Sequence, residues 1–421
     1  MSKPASIELP IISAISERVS SHPDPERQEL DRVIVFAERV LPSTCHYIPA
    51  QVNQLHHFAP IYAGLVPSDK NLELDQVPIL LRTDRSPVSR VSRELYRWTG
   101  TGAEGKFHAH LRRVDARLIH AHFGEGGPPA LFLSKRLNLP LILHLHGGAE
   151  LMTDANLRSK WYQWPFLAHR RNLWKRTSAF LCVSEYVRGR ALMAGFPPDK
   201  THVHFNGLDC KTFTPEMPVT EKDPNLVLFV GRLIPYKGCD YLIRAMQLVE
   251  RDRPGSRLVV IGDGSSRREL QELARSLEIN CTFLGELKPA EVRSWLEKAR
   301  VFCAASVTLE DGQSEAFGVV FLEAQAMGVP VVSFRHGGIP ETMREGVTGL
   351  LVEERDVQGL AEQMLRYLGD DKFWSQSREE GMRWVRSNFD NSVQTAKLEE
   401  IYSRAITAFR AEKFEQSMQS A

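Results

Sequence analysis

Short apolar runs alternate with longer amphipathic or basic stretches along most of this chain. In the first half, residues 32–37, 77–82, 118–124, 139–145 and 179–184 read as strands, apolar on both faces. Helical patterns lie between them at 48–57, 86–114 and 129–137. After a polar, proline-containing stretch around 209–224 the alternation restarts. Strands are predicted at 226–230, 257–261, 282–284, 301–305 and 329–333. Helices are predicted at 241–250, 267–276, 289–298, 317–327, 357–368, 371–388 and 392–412. Strand–helix repetition of this kind predicts an α/β protein with two doubly wound, Rossmann-like domains facing across a cleft. The expected divisions are a loosely ordered extension at 1–30, domains at 31–210 and 211–390, and a final helix at 391–421 packing back on the first domain.

Length and charge refine this. A chain of 421 residues exceeds what one core usually supports. The net charge of +1 conceals an asymmetry: residues 1–210 carry 26 Lys and Arg against 20 Asp and Glu, and residues 211–421 carry 27 against 32. A basic first half suits an anionic substrate or membrane surface. The six cysteines form no C-x-x-C pair and read as buried thiols of a cytoplasmic protein. No basic stripe or recognised module supports nucleic-acid binding.

Candidate chemistry concentrates between Glu310 and Glu341. An acidic loop enters a helix through Gly318, so the backbone N–H groups of Phe317, Gly318, Val319 and Val320 suit an anion. Glu315 and Glu323 flank that position, and carboxylates accept hydrogen bonds from the paired hydroxyls of sugars. Strand 226–230 ends in Gly231-Arg232, with Lys237-Gly238 following, two cations suited to a diphosphate. His146 stands at a strand's carboxyl end before two glycines. His120 and His122 share a strand face and could pair on a metal, but no carboxylate or cysteine is spaced to complete a site. The absence of any D-x-D triplet argues against a metal clamp on a diphosphate.

This combination in this order resembles the family-4 retaining glycosyltransferases of the twin-Rossmann (GT-B) type, over about residues 32–410. Val183-Ser184-Glu185, Phe205-Asn206-Gly207-Leu208-Asp209 and Gly262-Asp263-Gly264 are similar to further landmarks of that family. His120-Ala121-His122-Phe123-Gly124 and the stretch Glu323 to Glu341 resemble its exopolysaccharide, colanic-acid and lipopolysaccharide branch. The resemblance implies an acceptor-binding first domain and a second domain that binds a nucleotide-diphosphate sugar. It implies catalytic roles for His146, Arg232, Lys237 and Glu315, with His146 and Glu315 on the transferred sugar and the two cations on the leaving diphosphate. Donor binding would fall to Gly231, Gly262, Gly264, Leu287, Glu323 and the backbone of Phe317, Gly318, Val319 and Val320. No cofactor and no metal are expected. One stretch departs from the family: the loop after the first strand lacks a Gly-Gly pair, and Cys45 and His46 stand where the branch usually has an acidic residue and Thr.

The expected activity is transfer of a hexose-type sugar, with retention, to a glycan acceptor that is lipid-linked. A nucleotide-sugar 2-epimerase and an inactive binding subunit of a polysaccharide assembly complex are the alternative readings. Residues 158–176 interleave Trp161, Trp164, Phe166, Leu167 and Trp174 with seven basic residues, His169 included. They suit either peripheral contact with an anionic membrane, on the inner face of the cytoplasmic membrane, or an aromatic core helix.

Overall fold

The computed structural model describes residues 30–420 apart from 43–44, 69–71, 73, 85, 103, 149–153 and 217–221. The extension expected at 1–29, together with Ser43 and Thr44 of the loop after the first strand, lies outside the described residues. Seven parallel strands form the first sheet: β1 (Asp31–Val40), β2 (Phe58–Pro67), β3 (Ile79–Leu80), β4 (Ala116–His122), β5 (Leu141–Leu145), β6 (Ala179–Cys182) and β7 (Thr201–Val203). Six more form the second: β8 (Leu226–Val230), β9 (Arg257–Ile261), β10 (Cys281–Gly285), β11 (Val301–Ala304), β12 (Val331–Phe334) and β13 (Gly349–Val352).

The strand orders are β3-β2-β1-β4-β5-β6-β7 and β10-β9-β8-β11-β12-β13. Each chain path therefore reverses direction once, beside β1 and β4 in the first sheet and beside β8 and β11 in the second. Crevices open at such switch points, beyond the carboxyl ends of the strands. The α/β architecture expected from the alternation is the one found.

One strand was misplaced by the pattern. The second strand of the chain is Phe58–Pro67, and the expected strand at 77–82 shrinks to the edge pair Ile79–Leu80. Pro60 and Pro67 disguise β2, since proline cannot donate to a ladder. It is tolerated because β3 pairs only with Ala63 and Gly64, leaving the flank of Pro60 away from β1 without a strand.

The last helix, Asn391–Ser420, belongs to the first sheet although it follows the second. Leu398, Tyr402, Ala405 and Ile406 share one helical face and pack with Val33, Val35, Leu118, Ile142 and Leu181. The two chain crossings between lobes are stitched together, with Leu208 N–H donating to Phe389 O (2.8 Å) and Asn391 N–H to Leu208 O (2.9 Å).

A buried ion pair lies where β1 leaves the sheet. Glu38 Oε2 is 3.0 Å from Arg97 Nε on the helix Pro87–Thr99. Burial pushes the Glu38 carboxyl up to about 7, Arg97 restraining the rise and Glu125 adding to it.

Two outcomes follow. Leu398→Ala should cost about 2–5 kcal/mol in urea unfolding, because it leaves a cavity under the first sheet, whereas Phe414→Ala, 68% exposed, should stay within about 0.5 kcal/mol. Between pH about 4.5 and about 7 folded Glu38 retains a proton that the unfolded chain has released. Stability should therefore fall as pH rises through that window, by up to roughly 3 kcal/mol, and level off above it. Glu38→Gln should flatten that slope.

Candidate active site

The second lobe supplies a cationic turn. The chain leaves β8 at Gly231, whose N–H donates to Ile261 O (3.0 Å), and Leu233 N–H donates to Asp263 O (2.9 Å). The Gly231 and Gly262–Gly264 loops are thus knit side by side at the ends of β8 and β9. Arg232 is exposed, its guanidinium donating to Tyr236 Oη (2.9 Å). Lys237 closes a 3-10 turn, Pro235–Lys237, and donates to the Glu315 carboxylate. Burial works to lower the Lys237 ammonium, but Glu315 and Tyr236 together outweigh it and the net shift is upward. Lys237 is held as a cation.

Glu315 is 9% exposed and is positioned by its own backbone. Its N–H donates to His336 Nε2 (3.0 Å), which leaves the His336 proton on Nδ1 to bond Glu354 Oε2 (2.9 Å). A Cβ on Gly337 would sit 2.1 Å from Glu315 O, and one on Gly338 would sit 2.1 Å from Ala316 O. His336-Gly337-Gly338 is therefore the support on which the acidic loop rests.

Gly318 turns that loop into the helix Val319–Ala326 with φ +88°, a conformation L residues resist. The helix starts two residues later than the apolar pattern predicts and ends one earlier, at a Met327 cap. No side chain caps it, and the first-turn N–H groups of Val319 and Val320 have no acceptor within the helix. Phe317 points elsewhere: its ring lies 5.4 Å from Phe205 and 5.8 Å from Phe389, in the core between lobes. Only its backbone is available to a ligand.

The loop is gripped from the first lobe as well. Ser184 Oγ donates to Ala316 O (2.6 Å), Tyr186 Oη bonds Ser314 Oγ (2.9 Å), and Asn156 Nδ2 donates to Asp311 O (2.6 Å). The Glu341 carboxylate accepts the N–H groups of Glu185 (2.7 Å) and Tyr186 (2.9 Å), at the start of the helix Glu185–Met193.

Glu323 is the fifth residue of its helix and 8% exposed. Its Oε1 lies 3.4 Å from His46 Nε2 of the opposite lobe. The residue that departs from the family pattern thus faces the carboxylate that the family resemblance places on the donor.

His146 follows β5 and packs against Tyr47 (5.4 Å between ring centroids) and Phe123 (4.8 Å). Burial takes its pKa down to about 3, with His120 and His204 adding to the effect. It is a neutral imidazole at working pH and serves as a hydrogen-bonding group. Phe123 adopts φ +65° beside it, strained for a residue with a side chain.

Sequence reasoning missed Tyr47. Burial raises its phenol well above the usual range, Arg232 opposing and Glu315 adding. One phenol from the first lobe is therefore within electrostatic reach of both second-lobe groups while touching His146. Its only signal was its place directly after Cys45-His46. Leu287 stands apart from this cluster, following β10 and packing on the second core.

Two family models match successive stretches of the chain. The family model described as Glycosyltransferase Family 4 matches residues 37–212, and that described as Glycosyl transferases group 1 matches residues 211–384. A GDP-mannose-dependent alpha-(1-6)-phosphatidylinositol monomannoside mannosyltransferase of Mycolicibacterium smegmatis is 32% identical over 311 residues, 68% of this chain and 78% of that one. A GDP-mannose-dependent monoacylated alpha-(1-6)-phosphatidylinositol monomannoside mannosyltransferase of Corynebacterium glutamicum is 36% identical over 45% of this chain, and the match spans about half (52%) of its length. The amylovoran biosynthesis glycosyltransferase AmsK of Erwinia amylovora is 30% identical, over 61% of this chain and 63% of that one. Among solved structures, Anabaena Alr3699/HepE in complex with UDP-glucose superposes with a TM-score of 0.67 at 18% identity, covering 88% of this chain and 99% of that one. Sucrose-phosphate synthase from Thermosynechococcus elongatus gives 0.70 at 18% identity, covering 90% and 100%. At such identities these two likenesses speak for the fold alone. With both halves matched and a third of the positions shared over most of one relative, the chain belongs to glycosyltransferase family 4, in the branch that holds polysaccharide-biosynthesis enzymes.

Proposed function

We propose that this protein transfers a hexose-type sugar from a nucleotide-diphosphate sugar to a glycan acceptor, lipid-linked, during cell-surface polysaccharide assembly. The observation that carries the reading is the Lys237–Glu315 contact set beside the uncapped Gly318 helix terminus. Arg232, Lys237 and the first-turn N–H groups supply positive potential where a diphosphate would leave, and Glu315 and Glu323 supply acceptors for sugar and ribose hydroxyls. Lys237 is already shared with Glu315, so donor binding exchanges one anionic partner for another at little reorganisation. The diphosphate is held by these cations without a metal.

In this mechanism the leaving phosphate departs on the same face as the acceptor approaches, taking the acceptor proton, and configuration is retained. The protein contributes position and charge. His146, neutral and backed by His122, orients a sugar hydroxyl. Tyr47, packed on His146, adds a phenol beside it.

The exposed apolar residues favour a membrane-held acceptor. Trp161, Tyr162 and Trp164 are 61%, 38% and 49% exposed, while Phe166 and Leu173 of the same segment are buried. Residues 158–176 therefore divide between surface and core. The helix Pro87–Thr99 adds Val88, Val91, Leu95 and Trp98 at i, i+3, i+7 and i+10, all exposed. The two segments touch, Arg97 donating to Tyr162 O and His169 Nε2 to Trp98 O (2.9 Å). Arg90, Arg158 and Arg171 are exposed on the same two segments. Aromatic and apolar tips among basic groups suit an anionic bilayer surface. Among the described residues no helix is long and apolar enough to cross a membrane.

Product mass spectrometry across GDP-, UDP- and ADP-sugars should show sugar transfer, GDP-mannose being the first donor to try because two aligned relatives are named for it. Lys237→Met and Glu315→Gln should each lower kcat by about 10²–10³-fold, and Glu323→Ala should chiefly raise the donor KM. Release of an epimerised donor would replace transfer by isomerisation, and donor binding without turnover would make the protein a binding subunit. In co-sedimentation, vesicles rich in anionic lipid should retain the protein and neutral vesicles should not. The double substitution Trp161→Ala with Trp164→Ala should weaken retention at least several-fold, and equal retention by both vesicle types would remove the membrane reading.

A further inference from the structure

The histidine pair that lacked a partner in the sequence acquires one in the fold. His120 and His122 lie on β4, and His144 lies directly across from His122 on β5. The three side chains are 1%, 2% and 1% exposed. Their ring centroids are 4.2 Å (His120–His122), 5.4 Å (His120–His144) and 5.7 Å (His122–His144) apart. One ring nitrogen from each lies within 4.8 Å of the other two.

Hydrogen-bond accounting separates the six nitrogens into two sets. His120 Nδ1 meets Tyr402 Oη (2.6 Å), His122 Nδ1 meets His146 Nε2 (2.9 Å), and His144 Nε2 donates to the His204 carbonyl (3.3 Å). The other three, His120 Nε2, His122 Nε2 and His144 Nδ1, are buried with no partner. A buried polar atom without a partner is costly, and here the three stand with His146 Nδ1 and His204 Nδ1 in one unsatisfied cluster. The carbonyl partner makes His144 Nε2 a donor and leaves its Nδ1 bare, and with Tyr402 Oη and His146 Nε2 as acceptors His120 and His122 take the same form, the arrangement of metal-ligating histidines. Burial, reinforced by neighbouring histidines, also keeps all three imidazoles unprotonated, as a ligand must be.

We propose that His120, His122 and His144 form a binding site for one first-row divalent cation, zinc above all, inside the first lobe. Three neutral imidazoles are a common zinc set and suit copper, nickel and cobalt as well. At Zn–N distances of about 2.0–2.1 Å the ligand nitrogens of a tetrahedral site stand about 3.4 Å apart, so loading requires the three rings to close up and, as His144 is stacked on the other two at 18° and 26°, to turn toward a common point. The cation would staple β4 and β5 to the last helix through Tyr402. It would also fix His122 as the donor to His146 Nε2, so that an interior ion positions a residue of the cleft. The site is separate from the diphosphate clamp and does not depend on the transfer reaction.

The test uses the full chain without a histidine tag, expressed with zinc and passed through a weak chelator. Elemental analysis should find about one zinc per chain. Protein stripped during unfolding and refolded with Co2+ should show the visible absorption of nitrogen-ligated cobalt, saturating at about one equivalent. His144→Phe and His120→Asn should each reduce metal content at least tenfold while nucleotide-sugar binding persists. If a variant fails to fold, the wild-type zinc content and cobalt titration decide alone. Wild-type protein with under about a tenth of an equivalent and no cobalt band would overturn the proposal, leaving the three nitrogens to ordered water. Unchanged metal content in folded variants would overturn it equally.

Discussion

A carboxylate that is nine-tenths buried needs its charge answered, and Glu315 is answered by Lys237 from another strand's turn. Much of the second lobe serves that meeting. The β8 turn brings the ammonium, the acidic loop brings the carboxylate, and His336 fixes the backbone between them by accepting the Glu315 N–H. Glycines at 337 and 338 are required because the two loops approach closer than any side chain permits. The result is a charged pair pre-set at a helix terminus whose N–H groups remain available. An anionic ligand entering there meets partners already in place.

The same loop also joins the lobes. Ser184, Tyr186 and Asn156 hold it from the first lobe, and Glu341 of the second holds the start of a first-lobe helix. Phe317 fills the seam with Phe205 and Phe389. The last helix reinforces this by returning to the first sheet, where Leu398 and Tyr402 are fully buried.

The first lobe offers chemistry of a different kind. Its cleft groups are a neutral imidazole, a phenol and a strained phenylalanine rather than formal charges. Behind them lies a cluster of unprotonated histidines whose hydrogen bonds reach from the last helix to His146. Formal charge is concentrated on the second-lobe side of the cleft, at Arg232, Lys237 and Glu315, and neutral hydrogen-bonding groups on the first-lobe side.

The sequence by itself determined the architecture and the local chemistry of the second-lobe turns. Apolar runs of buried parallel strands need no partner to be read, and Arg232, Lys237, Glu315 and Glu323 sit in local turns and helices whose chemistry is written in adjacent residues. β2 escaped because two prolines hide a strand whose flank happens to be open. What only the tertiary structure decided is everything that depends on neighbouring strands or opposite lobes. His144 joins His120 and His122 through sheet register. Tyr47 and His46 reach second-lobe residues across a cleft, and Phe317, within the most telling motif, turns inward. The stretch from Glu310 to Glu341 was thus legible as a turn, a helix start and two flanking carboxylates, because backbone and charge act locally. Its supports and the first-lobe groups facing it were set by packing between residues far apart in the chain, which no local pattern encodes.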